Sequence, residues 1–149
     1  AVREATAGAA TIADLFAGLG TFALALQGRV YAGEGARDAL LALKAAAARA
    51  QRAVFAEHRD LFRRPLTAAE LDRFDAVVLD PPRAGAREQV AQLAAATKPR
   101  SLAYVSCNPS SFARDAKTLR EGGWRLGWVQ PVGQFRWSTH VELAARFSR

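Results

Sequence analysis

A mostly parallel α/β sheet is the fold that the order of patterns in this 149-residue chain predicts. Three observations lead there. Short apolar runs of β type alternate with helical patterns along nearly the whole chain, as strands joined by crossover helices do. A glycine-rich turn follows the first run. Several later runs end in acidic or otherwise reactive residues, and in open α/β sheets the carboxyl ends of strands face a ligand crevice.

The elements follow in order. Thr11 to Phe16 is the first strand; it leads into the glycine turn and a short helix expected from Thr21 to Gln27. Arg29 to Gly33 is the second strand. The alanines of Ala36 to Arg49 have high helix propensity. A short strand is expected at Ala53 to Ala56. Thr67-Ala-Ala-Glu70 has the form of a capping box, so a helix starts there. Asp75 to Asp80 is a buried strand centred on Val77, Val78 and Leu79, and Pro81-Pro82 ends it, because proline cannot donate to a ladder. Gly85 to Ala96 is expected to be helical and Ser101 to Ser106 a strand. Ser110 or Ser111 is expected to cap the next helix, which Gly122-Gly123 terminates. Trp124 to Val132 and His140 to Phe147 are the last two strands. Ala1 to Ala5 reads as the end of a helix, which suggests a fragment of a longer protein.

The length suits one domain with its own core, and 50% apolar residues argue against disorder. No apolar run reaches the ~18 residues of a membrane span, and no secretory signal pattern stands at the start. Cys107, the single cysteine, cannot form an internal disulfide or a cysteine-cluster zinc site. A cytoplasmic protein without metal or membrane partner is expected; its oligomeric state is not legible. The net charge of +7 attracts polyanions such as nucleic acid. The basic residues are nearly all arginine and are scattered, so the same charge is also what an Arg- and Ala-rich composition produces.

Asp14-Leu-Phe-Ala-Gly18-Leu-Gly20-Thr-Phe-Ala23 closes the first strand. Gly18, Gly20 and Ala23 keep the G-x-G-x-x-(G/A) spacing, which lets the backbone turn sharply and approach a ligand. Glu34 ends the second strand, where a carboxylate can accept both hydroxyls of a ribose. Together they point to a nucleoside cofactor. A dinucleotide brings a pyrophosphate. The acidic strand ends Asp14, Glu34, Asp60 and Asp80 suit a cation better, and S-adenosylmethionine carries a sulfonium and no phosphate. Each acid can equally be a cap or a solvated turn residue.

Two further strand ends, Asp80-Pro-Pro-Arg83 and Ser106-Cys107-Asn108-Pro109, are expected to face the same crevice, and His140-Val-Glu142 opens the last strand. With Asp14-Leu-Phe-Ala-Gly-Leu-Gly, Asp80-Pro-Pro-Arg-Ala-Gly-Ala86 and Tyr104-Val-Ser-Cys-Asn-Pro109, these motifs resemble, in order and spacing, those of the RNA uracil-5-methyltransferase family. The resemblance implies a Rossmann-like class I methyltransferase fold: a seven-stranded sheet with an antiparallel last strand and helices on both faces. It implies Cys107 as nucleophile and Glu142 as general base, with Phe16, Gly18, Gly20, Thr21, Glu34, Asp60 and Asp80 around S-adenosylmethionine. The partner it implies is RNA, ribosomal slightly ahead of transfer RNA. Family members usually also carry an N-terminal RNA-binding module and a central segment, so the chain is expected to be a fragment that lacks them.

The implied chemistry explains the residue types. Carbon 5 of uracil is a poor nucleophile until a thiolate adds to carbon 6; a carboxylate must then take the proton from carbon 5. Arg83 is a candidate donor to the charged ring, or else a phosphate contact or surface ion pair. The base must leave its stack to react. Phe135 and Trp137 can stack on it or simply shape the pocket, and His140 can contact RNA, orient Glu142 or be structural. Departures from the family pattern are Ala17, where many members have cysteine, Gly133, where an acid is common, and Arg136, where proline is common. Three rivals stand beside this reading. An amino-methyltransferase uses a similar Asp-Pro-Pro turn and needs no cysteine. A second is a domain that binds cofactor and RNA without turnover, and a third a nicotinamide-dependent oxidoreductase.

Overall fold

A computed structural model describes residues 1–133 and 141–149. Its elements are α1 (Val2–Ala5), β1 (Thr11–Leu15), β2 (Arg29–Glu34), α2 (Arg37–Arg49), β3 (Val54–His58), α3 (Ala68–Leu71), β4 (Ala76–Leu79), α4 (Arg87–Ala95), β5 (Ser101–Ser106), α5 (Pro109–Glu121), β6 (Arg125–Val132) and β7 (Glu142–Ser148). The strands form one seven-stranded sheet in the order β3-β2-β1-β4-β5-β7-β6. β1 to β5 pair in parallel, and β7 runs antiparallel between β5 and β6. This is the mixed sheet expected, with its last strand reversed.

Alternation along each strand divides the core in two. Ala13, Leu15, Val77, Leu79, Leu102 and Tyr104 point to one face, where α3, α4 and α5 cover them with Leu71, Leu93 and Leu119. Ile12, Val30, Ala32, Val78 and Ala103 point to the other, covered by Ala5 of α1, by Ala23 and Leu26, and by Leu40 and Leu43 of α2. Helices therefore lie on both faces. The central strand β4 is buried at every position, and β1 at all but its first. They read as continuous apolar runs for that reason. β6 is an exposed edge strand, which explains how it accommodates Pro131.

Three local expectations need correction. The segment from Thr21 to Gln27 is a chain of turns, not a helix. Its backbone mixes four-residue and three-residue hydrogen bonds, such as Leu24 N–H to Gly20 and Ala25 N–H to Phe22. It leaves one left-handed glycine, Gly20, and runs into another, Gly28. Asn108, not Ser110 or Ser111, caps α5: its Oδ1 accepts from the Ser110 amide at 3.0 Å. Pro109 fills the first helical position, where its missing N–H costs nothing. The helix expected from Gly85 begins only at Arg87, because Gly85 is left-handed with φ +80°. The capping box is present: Glu70 N–H donates to Thr67 Oγ1, and Thr67 N–H to Glu70. Among the described residues no helix is long and apolar enough to cross a membrane.

Candidate active site

The strand order sets the strand ends in a row. Read across the sheet from β3 to β7, the ends carry Asp60, Glu34, the glycine turn after Leu15, Asp80, Cys107 and Glu142. β7 is antiparallel, so its first residue reaches the edge where the parallel strands finish. Ser106 pairs with Leu143, which sets Cys107, one residue on, across from Glu142, one residue back. Strand alternation assigns a common face to Asp14, Glu34, Cys107 and Glu142, through Ile12, Ala32, Ala103 and Ala144. That face carries the glycine turn and α2.

The turn is built under constraint. Phe16 has φ +64°, an uncommon conformation for a bulky side chain that costs on the order of 1–3 kcal/mol. The amides of Phe16 and Ala17 both donate to the Gly33 carbonyl, at 3.0 and 3.1 Å, and hold it there. The Phe16 ring lies 5.2 Å from that of Phe62. Gly20, with φ +92°, sits so close to Leu43 that a Cβ would collide with that side chain. Gly18 faces open space, and its φ of +55° is what favours glycine. Glu34 ties the turn to α2: Oε2 accepts from the Gly18 amide at 2.7 Å and Oε1 from the Ala36 amide at 2.6 Å. Each oxygen keeps a lone pair for another donor. Asp60 accepts from the amides of Phe62 and Arg63, at 3.0 and 3.3 Å, and so caps its own turn.

Asp14 is the unusual group. It is fully buried, and among the described residues neither carboxylate oxygen is held by a well-formed hydrogen bond, the Ala23 amide being near enough only to favour its charge. Burial pushes its pKa up to about 7; the charges of Asp80 and Glu34 add to this, and the Ala23 amide opposes it. Burial and the neighbouring Glu142 raise Asp80 to about 6. A chain with a net charge of +7 thus gathers the carboxylates of Asp14, Glu34, Asp80 and Glu142 at one end of its sheet, with Asp14 buried among them. Such a donor set fits an ammonium or sulfonium group and repels a pyrophosphate.

The two loops that carry Asp80 and Cys107 touch. Asn108 Nδ2 donates to the Arg83 carbonyl at 2.9 Å, while the Arg83 side chain is exposed. The Asn108 amide donates to Ser106 Oγ at 3.1 Å, folding the chain tightly around Cys107, which is half-buried and free. Glu142, Val105 and Ala144 line a cavity of about 430 Å³ together with Thr21 and Phe22 of the turn segment. Glu142 therefore opens onto the glycine-turn side. Phe135, Trp137 and His140 lie outside the described residues, as does Arg136.

Asp115 is buried on α5 and bonded to the loop after Asp80. Its signal was a carboxylate within the apolar stripe Phe112, Ala116 and Leu119 of the helix.

The family model for tRNA (uracil-5-)-methyltransferase matches residues 38–149. An uncharacterized RNA methyltransferase of Zymomonas mobilis is 63% identical over 99% of this chain, which spans 38% of that protein. One from Agrobacterium fabrum is 55% identical over 90% of the chain and 33% of its own length. The chain thus spans about a third of the length of these relatives. Among solved structures, the Pyrococcus abyssi tRNA (uracil-54, C5)-methyltransferase in complex with S-adenosyl-L-homocysteine superposes with a TM-score of 0.81 at 30% identity. The superposition covers 98% of this chain and 36% of that one. Motifs, sheet order and these likenesses agree: the chain belongs to the tRNA (uracil-5-)-methyltransferase family.

Proposed function

We propose that this chain is the catalytic domain of an S-adenosylmethionine-dependent enzyme that methylates carbon 5 of a uridine in RNA. The observation that supports this most is the β5–β7 register, which sets Cys107 beside Glu142 at the sheet end bearing the glycine turn and Asp80. S-adenosylmethionine, when bound, supplies an electrophilic methyl group. Glu34, with its free lone pairs, takes ribose hydroxyls, and Asp14 and Asp80 offer negative charge to a cation. Phe16, Gly18, Gly20 and Thr21 are assigned to the wall of the cofactor pocket. Asp60 is assigned to its rim, since its carboxylate already caps a turn.

Cys107 adds as a thiolate to carbon 6 of the uracil, and the ring's electron pair moves so that carbon 5 can accept the methyl group. Glu142 then removes the proton from carbon 5, and the returning electrons expel the Cys107 sulfur. Arg83, exposed on the neighbouring loop, is assigned to a phosphate or to the charged ring. Phe135 and His140 keep their proposed contacts to the flipped nucleotide.

The test offers RNA containing 5-fluorouridine together with S-adenosylmethionine, using the chain and the chain extended to its relatives' length. Fluorine cannot leave as a proton, so a covalent complex is expected to survive denaturation and to be absent in Cys107→Ala. Methyl transfer that persists in Cys107→Ala would instead indicate an amino-methyltransferase. Ribosomal RNA, suggested by general likeness, and transfer RNA, the substrate in the name of the Pyrococcus protein, are separated by supplying each in turn.

A further inference from the structure

We propose that Asp115 is the positioning residue that locks the loop from Asp80 to Ala86 against the strand carrying Cys107. This rests on the proposed reaction and concerns a residue outside the motifs that suggested it. Asp115 sits on α5 at 1% exposure. Its Oδ2 accepts the Tyr104 hydroxyl at 2.6 Å and the Ala86 amide at 2.8 Å. Its Oδ1 accepts Nε and Nη2 of Arg114 at 2.9 and 2.8 Å. The same Nη2 donates to the Ala84 carbonyl at 2.9 Å. One carboxylate therefore collects β5, three residues before Cys107, and both sides of Gly85.

The surroundings are cut to fit. Gly85 is left-handed, and a Cβ there would lie 2.5 Å from Arg114 Nη2 and 2.7 Å from Asp115 Oδ2. Burial and the Asp115 charge hold the Tyr104 hydroxyl well above its ordinary pKa, so it stays a donor. On the opposite side of the loop, Asn108 binds the Arg83 carbonyl. The segment bearing Asp80 and Arg83 is thus gripped from α5 behind and from the Cys107 turn in front. Asp115 does not touch the reacting atoms. It sets where Asp80 and Arg83 stand relative to the sulfur. A misplacement of about 1 Å at such a site costs on the order of 100-fold in rate.

The test is Asp115→Asn, which keeps volume and removes charge, with Tyr104→Phe as a milder variant that loses one bond. Hydrogen exchange at the Ala86 amide reports the loop, the rate of 5-fluorouridine adduct formation reports the chemistry, and thermal melting reports folding. Asp115→Asn is expected to speed Ala86 exchange by at least about 10-fold. It should slow adduct formation by about 10- to 100-fold, with KM for RNA within about 3-fold. Tyr104→Phe should move both in the same direction by less. Unchanged Ala86 exchange, or a loosened loop with an unaltered adduct rate below the melting temperature, overturns the proposal. So does a rate loss that only tracks melting. If every protein including the parent forms no adduct, the uracil chemistry itself fails, and the positioning role falls with it.

Discussion

Replacing Asp14 with asparagine is expected to remove the pH dependence that this buried acid imposes on stability. In the folded protein burial raises Asp14 from 3.8 to about 7, and among the described residues no well-formed hydrogen bond holds its oxygens. One pKa unit is worth about 1.4 kcal/mol, so roughly three units correspond to on the order of 4 kcal/mol. The sign follows from proton binding. Between the unfolded value near 4 and the folded value near 7 the folded state holds the extra proton, so stability falls as pH rises across that window and levels off above it. Asparagine cannot ionise. It still buries an unpaired amide, which costs about 1–3 kcal/mol at every pH. Asp14→Asn should therefore match or fall below the parent at pH 4.5 and gain on it by up to about 4 kcal/mol by pH 8. Urea titrations of both proteins at the two pH values measure this. Midpoints that shift in parallel would show that Asp14 is solvated or paired and that the crevice does not hold an uncompensated acid.

Other outcomes follow from the same geometry. S-adenosylmethionine affinity should tighten from pH 5 to pH 8 as Asp80 and Asp14 ionise, and Asp14→Asn should flatten that dependence; calorimetry at both pH values decides. Glu142→Gln should lower the Asp80 pKa from about 6, because a neighbouring charge is removed, but leave it above 3.8, because burial remains; carboxyl NMR titration reads it. Gly20→Ala should lose about 1–3 kcal/mol in urea denaturation, from a left-handed φ and a collision with Leu43, and an unmoved midpoint would contradict this. Asn108→Ala removes the α5 cap and the tie to Arg83; about 1–2 kcal/mol of stability should go with it, measured the same way.

What was legible in the sequence depended on local chemistry. β1 and β4 were visible because strands buried on both sides are nearly unbroken apolar runs. The capping box was visible because Thr67 and Glu70 satisfy each other's amides within one turn. The segment after Gly20 carried helical residues, yet left-handed glycines at Gly20 and Gly28 bracket it as turns. The α5 cap lies on Asn108, two or three residues before the serines expected, because Pro109 is suited to the first helical position. At the site, the acids are legible as strand ends, but nothing local reveals that Asp14 is buried without a well-formed hydrogen bond among the described residues, or that Asp115 bonds an amide on the loop after Asp80.

By itself the sequence determined the two-residue alternation that assigns each side chain to a face, the glycine turn that only left-handed residues can make, and the reactive residue at each strand end. The tertiary structure decided which ends are neighbours. Strand periodicity gives a face but never a partner; pairing depends on hydrogen bonds between segments far apart in the chain. Only the insertion of β7, reversed, between β5 and β6 brings the carboxylate of Glu142 to the strand end that bears the sulfur of Cys107.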